Sequence, residues 1–83
     1  MMLKVGKLYC VREQPLLVFT TKQDAFLGQA RIKGVYIDTS QPFLILDSWD
    51  QNIGADKICY EVLFNDRKGW IYIGTANEIK EIV

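Results

Sequence analysis

Residues 57–73 read KICYEVLFNDRKGWIYI, and this stretch decides the fold. Two runs rich in β-branched and aromatic side chains, residues 57–65 and 70–73, lie on either side of a turn-forming segment, residues 66–69. This order predicts an antiparallel hairpin. Gly69 is expected at a position with positive φ, since tight hairpin turns favour residues that tolerate the left-handed region.

The sequence outside this hairpin continues the pattern of short apolar runs separated by turn residues. We predict further strands at residues 7–12, 16–20, 34–38, 43–49 and 78–83. A short helix is predicted within residues 21–30, because Thr21 is a suitable N-cap and Gly28 limits the helix length. Short strands joined by tight turns predict an all-β fold, and a chain of 83 residues is too short for a sandwich. We therefore expect one small barrel.

Alternation of side chains assigns two faces to these strands. We expect one face to form the core, made of Leu46, Val62, Phe64 and Ile71 with Leu44 and Ile73 beside them. The other face is also apolar, and we expect an exposed patch there around Phe43, Ile45, Trp70 and Tyr72. The alternative is that residues 21–30 fold over this patch, with Ala25, Phe26 and Ala30 facing inward and with Phe26 and Leu27 buried against it.

Several motifs follow one another in the C-terminal part of the chain. Residues 43–47 are apolar and end in an acid, residues 59–64 form the next strand, and Gly69-Trp70-Ile71 opens the strand after the hairpin. Residues 75–82 have the pattern of a one-turn helix and a final strand. In this order, residues 34–83 resemble an SH3-like domain. The resemblance implies a single small SH3-like barrel of five to seven short strands, with the helix as an insertion.

The differences from peptide-binding SH3 domains bear on function. Those domains carry a Tyr-rich first strand, but this chain offers only Tyr9 there. Their conserved Trp position falls at Ile58 or Cys59, and residues 72–74 supply no Pro. The resemblance therefore argues against recognition of proline-rich peptides. The layout is also similar to small SH3-like proteins encoded by tailed bacteriophages, including phages of cyanobacteria, which implies an accessory or host-interaction role.

The composition argues against catalysis. The chain has no histidine, so the commonest general base and metal ligand is missing. Cys10 and Cys59 could form a redox pair, but only Arg12 lies near Cys10 in sequence and nothing next to Cys59 would activate it. We interpret them as separate buried thiols. No serine or threonine is placed next to a base. We predict that the protein is not an enzyme and has no catalytic residue, metal site or cofactor.

The aromatic residues are the candidate binding residues: Trp49, Trp70, Tyr72 and Phe43. Tryptophan and tyrosine dominate binding hot spots, which favours a protein partner or a weak homodimer. The alternative for Trp70 and Tyr72 is cross-strand packing under a folded-back loop, and for Trp49 a position on the barrel rim beside residues 50–56. A nucleic-acid-binding barrel is the second hypothesis. It is weakened because ten basic residues are balanced by ten acidic ones.

The sequence also bears on where the protein acts. No apolar stretch approaches the length of a membrane span, and the first residues lack the apolar core of a secretory signal. Two cysteines are too few for a disulfide scaffold. We therefore expect a cytoplasmic protein, acting in the host cytoplasm if it is viral, with no membrane partner.

Overall fold

The computed structural model describes residues 3–28, 34–50, 58–72 and 79–82. Within these ranges the chain forms seven strands and one helix: β1 (Leu8–Val11), β2 (Leu16–Val18), α1 (Lys22–Leu27), β3 (Val35–Ile37), β4 (Phe43–Asp50), β5 (Ile58–Phe64), β6 (Arg67–Tyr72) and β7 (Ile79–Glu81). The predicted all-β fold with a short helix is confirmed. Ile73, Ala30, the loop after Asp50 and the turn before β7 lie outside the described residues. Among the residues described, no helix is long and apolar enough to cross a membrane.

The strands form two antiparallel sheets. The larger sheet has the order β6-β5-β4-β1-β7, and β2 pairs with β3 in a smaller ladder. One bridge joins the two sheets: the Phe19 N–H donates to the Trp70 carbonyl at 2.7 Å, and the Trp70 N–H donates to the Phe19 carbonyl at 2.8 Å. The described strands do not close into a barrel, so the SH3-like barrel stays a prediction.

The hairpin between β5 and β6 turns at Asn65 and Asp66, whose φ values are 46° and 58°. Phe64 and Arg67 are direct partners, so the turn contains two residues. Asn and Asp tolerate the left-handed region that such turns require. The prediction of a positive φ at Gly69 is wrong, because Gly69 is a buried residue of β6.

The main core lies on one face of the larger sheet, which we call the inner face. Its buried residues come from the strands of both sheets and from the N-terminal segment: Leu3, Tyr9, Val11, Leu16, Ile37, Phe43, Ile45, Tyr60, Val62, Phe64, Ile71 and Ile79. Burial of Val62, Phe64 and Ile71 confirms the prediction for β5 and β6. The Tyr60 hydroxyl accepts a hydrogen bond from the buried Leu3 N–H at 3.0 Å, which holds the N-terminal segment on this core.

The predicted faces of β4 are wrong in its first half. Phe43 and Ile45 are 1% and 0% exposed and belong to the core, whereas Leu44 and Leu46 are half-buried. The cause is a β-bulge between Ile45 and Asp47, where the register with β5 shifts. A bulge adds one residue to a strand, so simple alternation counted across Leu46 assigns the residues before it to the wrong face.

Helix α1 begins and ends where the sequence predicts. The Thr21 hydroxyl accepts a hydrogen bond from the Asp24 N–H at 3.1 Å, and Gly28 ends the helix at a φ of 70°. Ala25 is fully buried and Phe26 is half-buried, so both face inward as predicted. Leu27 is exposed, and the prediction of its burial is wrong. Each helical residue is rotated by about 100° from the last, which turns Leu27 to solvent.

Candidate interaction surface

The outer face of the larger sheet, opposite the main core, is organised in three rows that run across the strands. The register places Leu44 beside Leu63, Asp47 beside Glu61, and Trp49 beside Cys59. Direct partners in an antiparallel sheet have their side chains on the same face. We call the row of Leu44 and Leu63 the apolar row, that of Asp47 and Glu61 the acidic row, and that of Trp49 and Cys59 the covered row. Each row also contains residues of neighbouring strands, which are given below.

The apolar row extends over β1, β4 and β5 and includes Ile82, the residue that follows β7. Leu8 of β1 pairs with Leu44, and Leu44 pairs with Leu63. Ile82 lies next to Leu8, since the Ile82 N–H donates to the Leu8 carbonyl at 2.8 Å. Leu8 is 42% exposed and Ile82 38% exposed, while Leu44 and Leu63 are half-buried. The row ends on β6 at the exposed Lys68.

The acidic row lies next to the apolar row, at the centre of the sheet. Asp47 pairs with Glu61, and Glu61 pairs with Trp70 of β6. Asp47 is exposed and Glu61 is half-buried. The Asp47 Oδ1 accepts a hydrogen bond from the Ser48 N–H at 2.8 Å, but neither carboxylate forms an ion pair with a described residue. Like charges directly opposite each other destabilise a sheet, so this pair carries a cost in the isolated protein.

The covered row contains Trp49, Cys59 and Tyr72, and α1 packs over it. Cys59 and Ala25 are fully buried there together with Phe19, and half-buried Leu17, Phe26, Trp49 and Trp70 surround them. The Phe26 and Trp49 rings meet edge to face, with centroids 5.9 Å apart and an interplanar angle of 62°. The helix therefore protects this end of the outer face from solvent.

A cation adds to the contact between α1 and the sheet. The Lys22 Nζ lies 4.9 Å from the centroid of the Trp49 ring. Such cation–π contacts contribute about 0.5–1 kcal/mol at exposed sites. Trp49 thus contacts two side chains of the helix, Lys22 and Phe26.

The structure separates Phe43 from the other three predicted binding residues. Phe43 is inside the main core and offers no surface on the outer face. Trp49 and Trp70 are half-buried beside α1, and Tyr72 is half-buried opposite Cys59. The open apolar surface is instead the row that ends in Ile82. The sequence analysis expected the open patch around Trp70 and Tyr72, and it had no signal that β1 and β7 extend the outer face.

Other candidate chemistry is sparse in the described residues. Cys10 is half-buried on β1 and Cys59 is buried on β5; neither forms a disulfide bond, and β4 lies between their strands. The interpretation of separate thiols is confirmed, but only Cys59 is buried. The described ranges contain no group of three side chains suited to hold a metal ion. An open depression of about 360 Å³, lined by Gln14, Pro15, Tyr36 and Asp38, lies beside β3.

No family model, curated protein or solved structure matches the chain. The resemblance to SH3-like domains and to phage-encoded proteins therefore stays a prediction. The argument for function rests on the outer face, where one end is covered by the chain's own helix and the other end is open.

Proposed function

We propose that this protein is a non-enzymatic protein-interaction module that binds its partner through the apolar row. The observation that carries the proposal is the run of Ile82, Leu8, Leu44 and Leu63, which crosses β1, β4 and β5 and includes the residue after β7, outside the area that α1 covers. Contiguous exposed apolar surface typically marks an interface. Covering it gains about 25 cal/mol for each Å² removed from water.

The two ends of the outer face differ in how well they are covered, and this difference supports the proposed role. At the covered row, the chain uses Phe19, Ala25 and Phe26 to cover the side chains of the sheet. At the apolar row, Leu8 and Ile82 keep 42% and 38% of their surface exposed. A partner bound at this position would bury Leu8 and Leu44, as α1 buries Cys59.

Charge favours a protein partner over nucleic acid. The charges nearest the middle of the outer face are Asp47 and Glu61, which would repel phosphates. Lys68 and Lys80 lie on β6 and β7, the two outermost strands of the larger sheet. A titration with a mixed-sequence oligonucleotide at low and high salt tests this choice, and tight, salt-sensitive binding would favour the nucleic-acid hypothesis.

The resemblance described above suggests the setting of this interaction. Small SH3-like proteins of tailed phages imply an accessory or host-interaction role. We propose the same role for this module, with a cytoplasmic partner, in the host cytoplasm if the chain is viral. The partner class argued from the outer face does not depend on this setting.

The proposal is tested by selecting peptides of about 12 residues from a displayed random library against the immobilised full chain. Selected peptides should bind the Leu63→Gln variant about tenfold more weakly than the wild type, because Leu63 lies between Leu44 and Lys68 in the apolar row and a polar side chain there interrupts the apolar contact. Leu27→Gln is the matched control, since Leu27 is exposed on α1 away from the row. Equal binding to both variants, or no enriched peptide, would overturn the proposal.

A further inference from the structure

We infer that the partner is a segment of another protein that carries an arginine or lysine beside apolar side chains, with the cation over Asp47 and Glu61. This inference rests on the proposed function and adds the chemistry of the partner. The apolar side chains of the segment cover Leu44 and Leu63. Its basic group enters the acidic row alongside.

The spacing of the two rows sets the spacing in the partner. Leu63 and Glu61 are two residues apart on β5, and both point to the outer face. Two residues of a strand span about 6.8 Å. An apolar and a basic side chain at alternate positions of an extended segment, or one turn apart on a helix, match this distance.

The two carboxylates of the acidic row supply the charge argument. Asp47 and Glu61 face each other across β4 and β5 without a cation among the described residues. A guanidinium group has five N–H donors and can bond two carboxylates at once. A cation bound between the two carboxylates attracts both of them and offsets their mutual repulsion. Binding a basic partner therefore removes an unfavourable interaction that is present in the free protein.

A second copy of the chain is a poorer occupant of the same face. Two copies related by a two-fold axis present the same surface to each other. Stacking their outer faces would bring two acidic rows, with four carboxylates, into one interface. The described lysines on the strands of this sheet, Lys68 and Lys80, lie on its two outermost strands. The inference therefore commits to a different protein.

The experiment determines which charged residues the selected peptides carry and which side chains of the protein their binding requires. We expect enriched peptides to place Arg or Lys within one helical turn of apolar residues. The strongest of them, made as a synthetic peptide, should bind Asp47→Asn/Glu61→Gln about tenfold more weakly than wild type. The control is Asp66→Asn/Glu81→Gln, which removes the same two charges from exposed positions outside the acidic row and should change binding less than about twofold.

The outcomes separate this inference from the proposed function. Peptides that need Leu63 but show no basic preference would leave the apolar interface standing and overturn the inference. The same holds if both double variants weaken binding equally, which would indicate a general effect of net charge. If nothing is enriched, both proposals fail. Sedimentation that shows a wild-type dimer, abolished by Leu63→Gln, would make a second copy the occupant and also overturn the inference.

Discussion

Gly69 of β6 lies directly against Val18 of β2. A Cβ atom at Gly69 would overlap the Val18 Cγ1 and lie 3.3 Å from the Phe19 carbonyl oxygen. The missing side chain lets β2 approach β6 closely enough for the two hydrogen bonds between Phe19 and Trp70. This bridge leads directly into α1, so the position of the helix on the outer face depends on a glycine in a different strand.

The first prediction follows from this approach. Gly69→Ala should lower the free energy of unfolding by about 1–3 kcal/mol, because the added methyl group has no room beside Val18. Urea denaturation measures the effect. Lys68→Ala is the matched control in the same strand, and its exposed side chain should contribute less than about 0.5 kcal/mol.

A double variant tests the cause of that loss. Val18→Ala combined with Gly69→Ala should be more stable than the sum of the two single effects predicts, because the shorter Val18 side chain makes room for the new methyl group. Strict additivity would show that the Gly69 effect has another origin.

The second prediction concerns the bulge in β4. Ile45→Ala should cost about 2–5 kcal/mol, since Ile45 is fully buried in the main core. Leu46→Ala should cost about 1 kcal/mol, because Leu46 is only half-buried. Thermal and urea unfolding of the two variants provide the comparison. A larger loss for Leu46 than for Ile45 would contradict the face assignment.

The third prediction concerns the cover over Trp49. In a Trp70→Phe background, where Trp49 is the remaining tryptophan, Phe26→Ala should increase acrylamide quenching of its fluorescence. The reason is that the edge of the Phe26 ring packs against the indole. Leu27→Ala is the control, because this exposed neighbour in α1 should leave quenching unchanged. Equal quenching in both variants would mean that α1 does not protect Trp49.

The fourth prediction concerns the thiols. An aromatic disulfide reagent should modify Cys10 in the folded protein but reach Cys59 only after unfolding, because Cys59 is fully buried and Cys10 half-buried. Counting released thiolate before and after adding denaturant measures this difference. Cys10→Ser should abolish the fast reaction. Rapid modification of that variant would place Cys59 at the surface.

The loss of both thiols tests the expectation that the protein is not a redox enzyme. The Cys10→Ala/Cys59→Ala variant should still bind the selected peptides with unchanged affinity, because neither residue lies in the apolar or acidic row. A folded double variant that no longer binds would assign a role to a cysteine.

The positions of the elements followed from local sequence. Thr21 and Gly28 mark the ends of α1 through hydrogen bonds and a backbone conformation that involve only nearby residues. The alternating pattern of β5 identified Val62 and Phe64 as core residues. The predicted turn, residues 66–69, starts one residue after the observed one and extends into β6, since the positive φ values fall on Asn65 and Asp66 and not on a glycine.

The outer face was decided by the tertiary structure. The run from Phe43 to Leu46 is apolar throughout, so it contains no polar residue to mark the bulge that changes its phase. Leu8 and Ile82 come from opposite ends of the sequence and meet only because β1 pairs with β7. Alternation separates the two faces of a strand, but which face is covered depends on contacts between residues distant in sequence, such as Phe19 with Trp70.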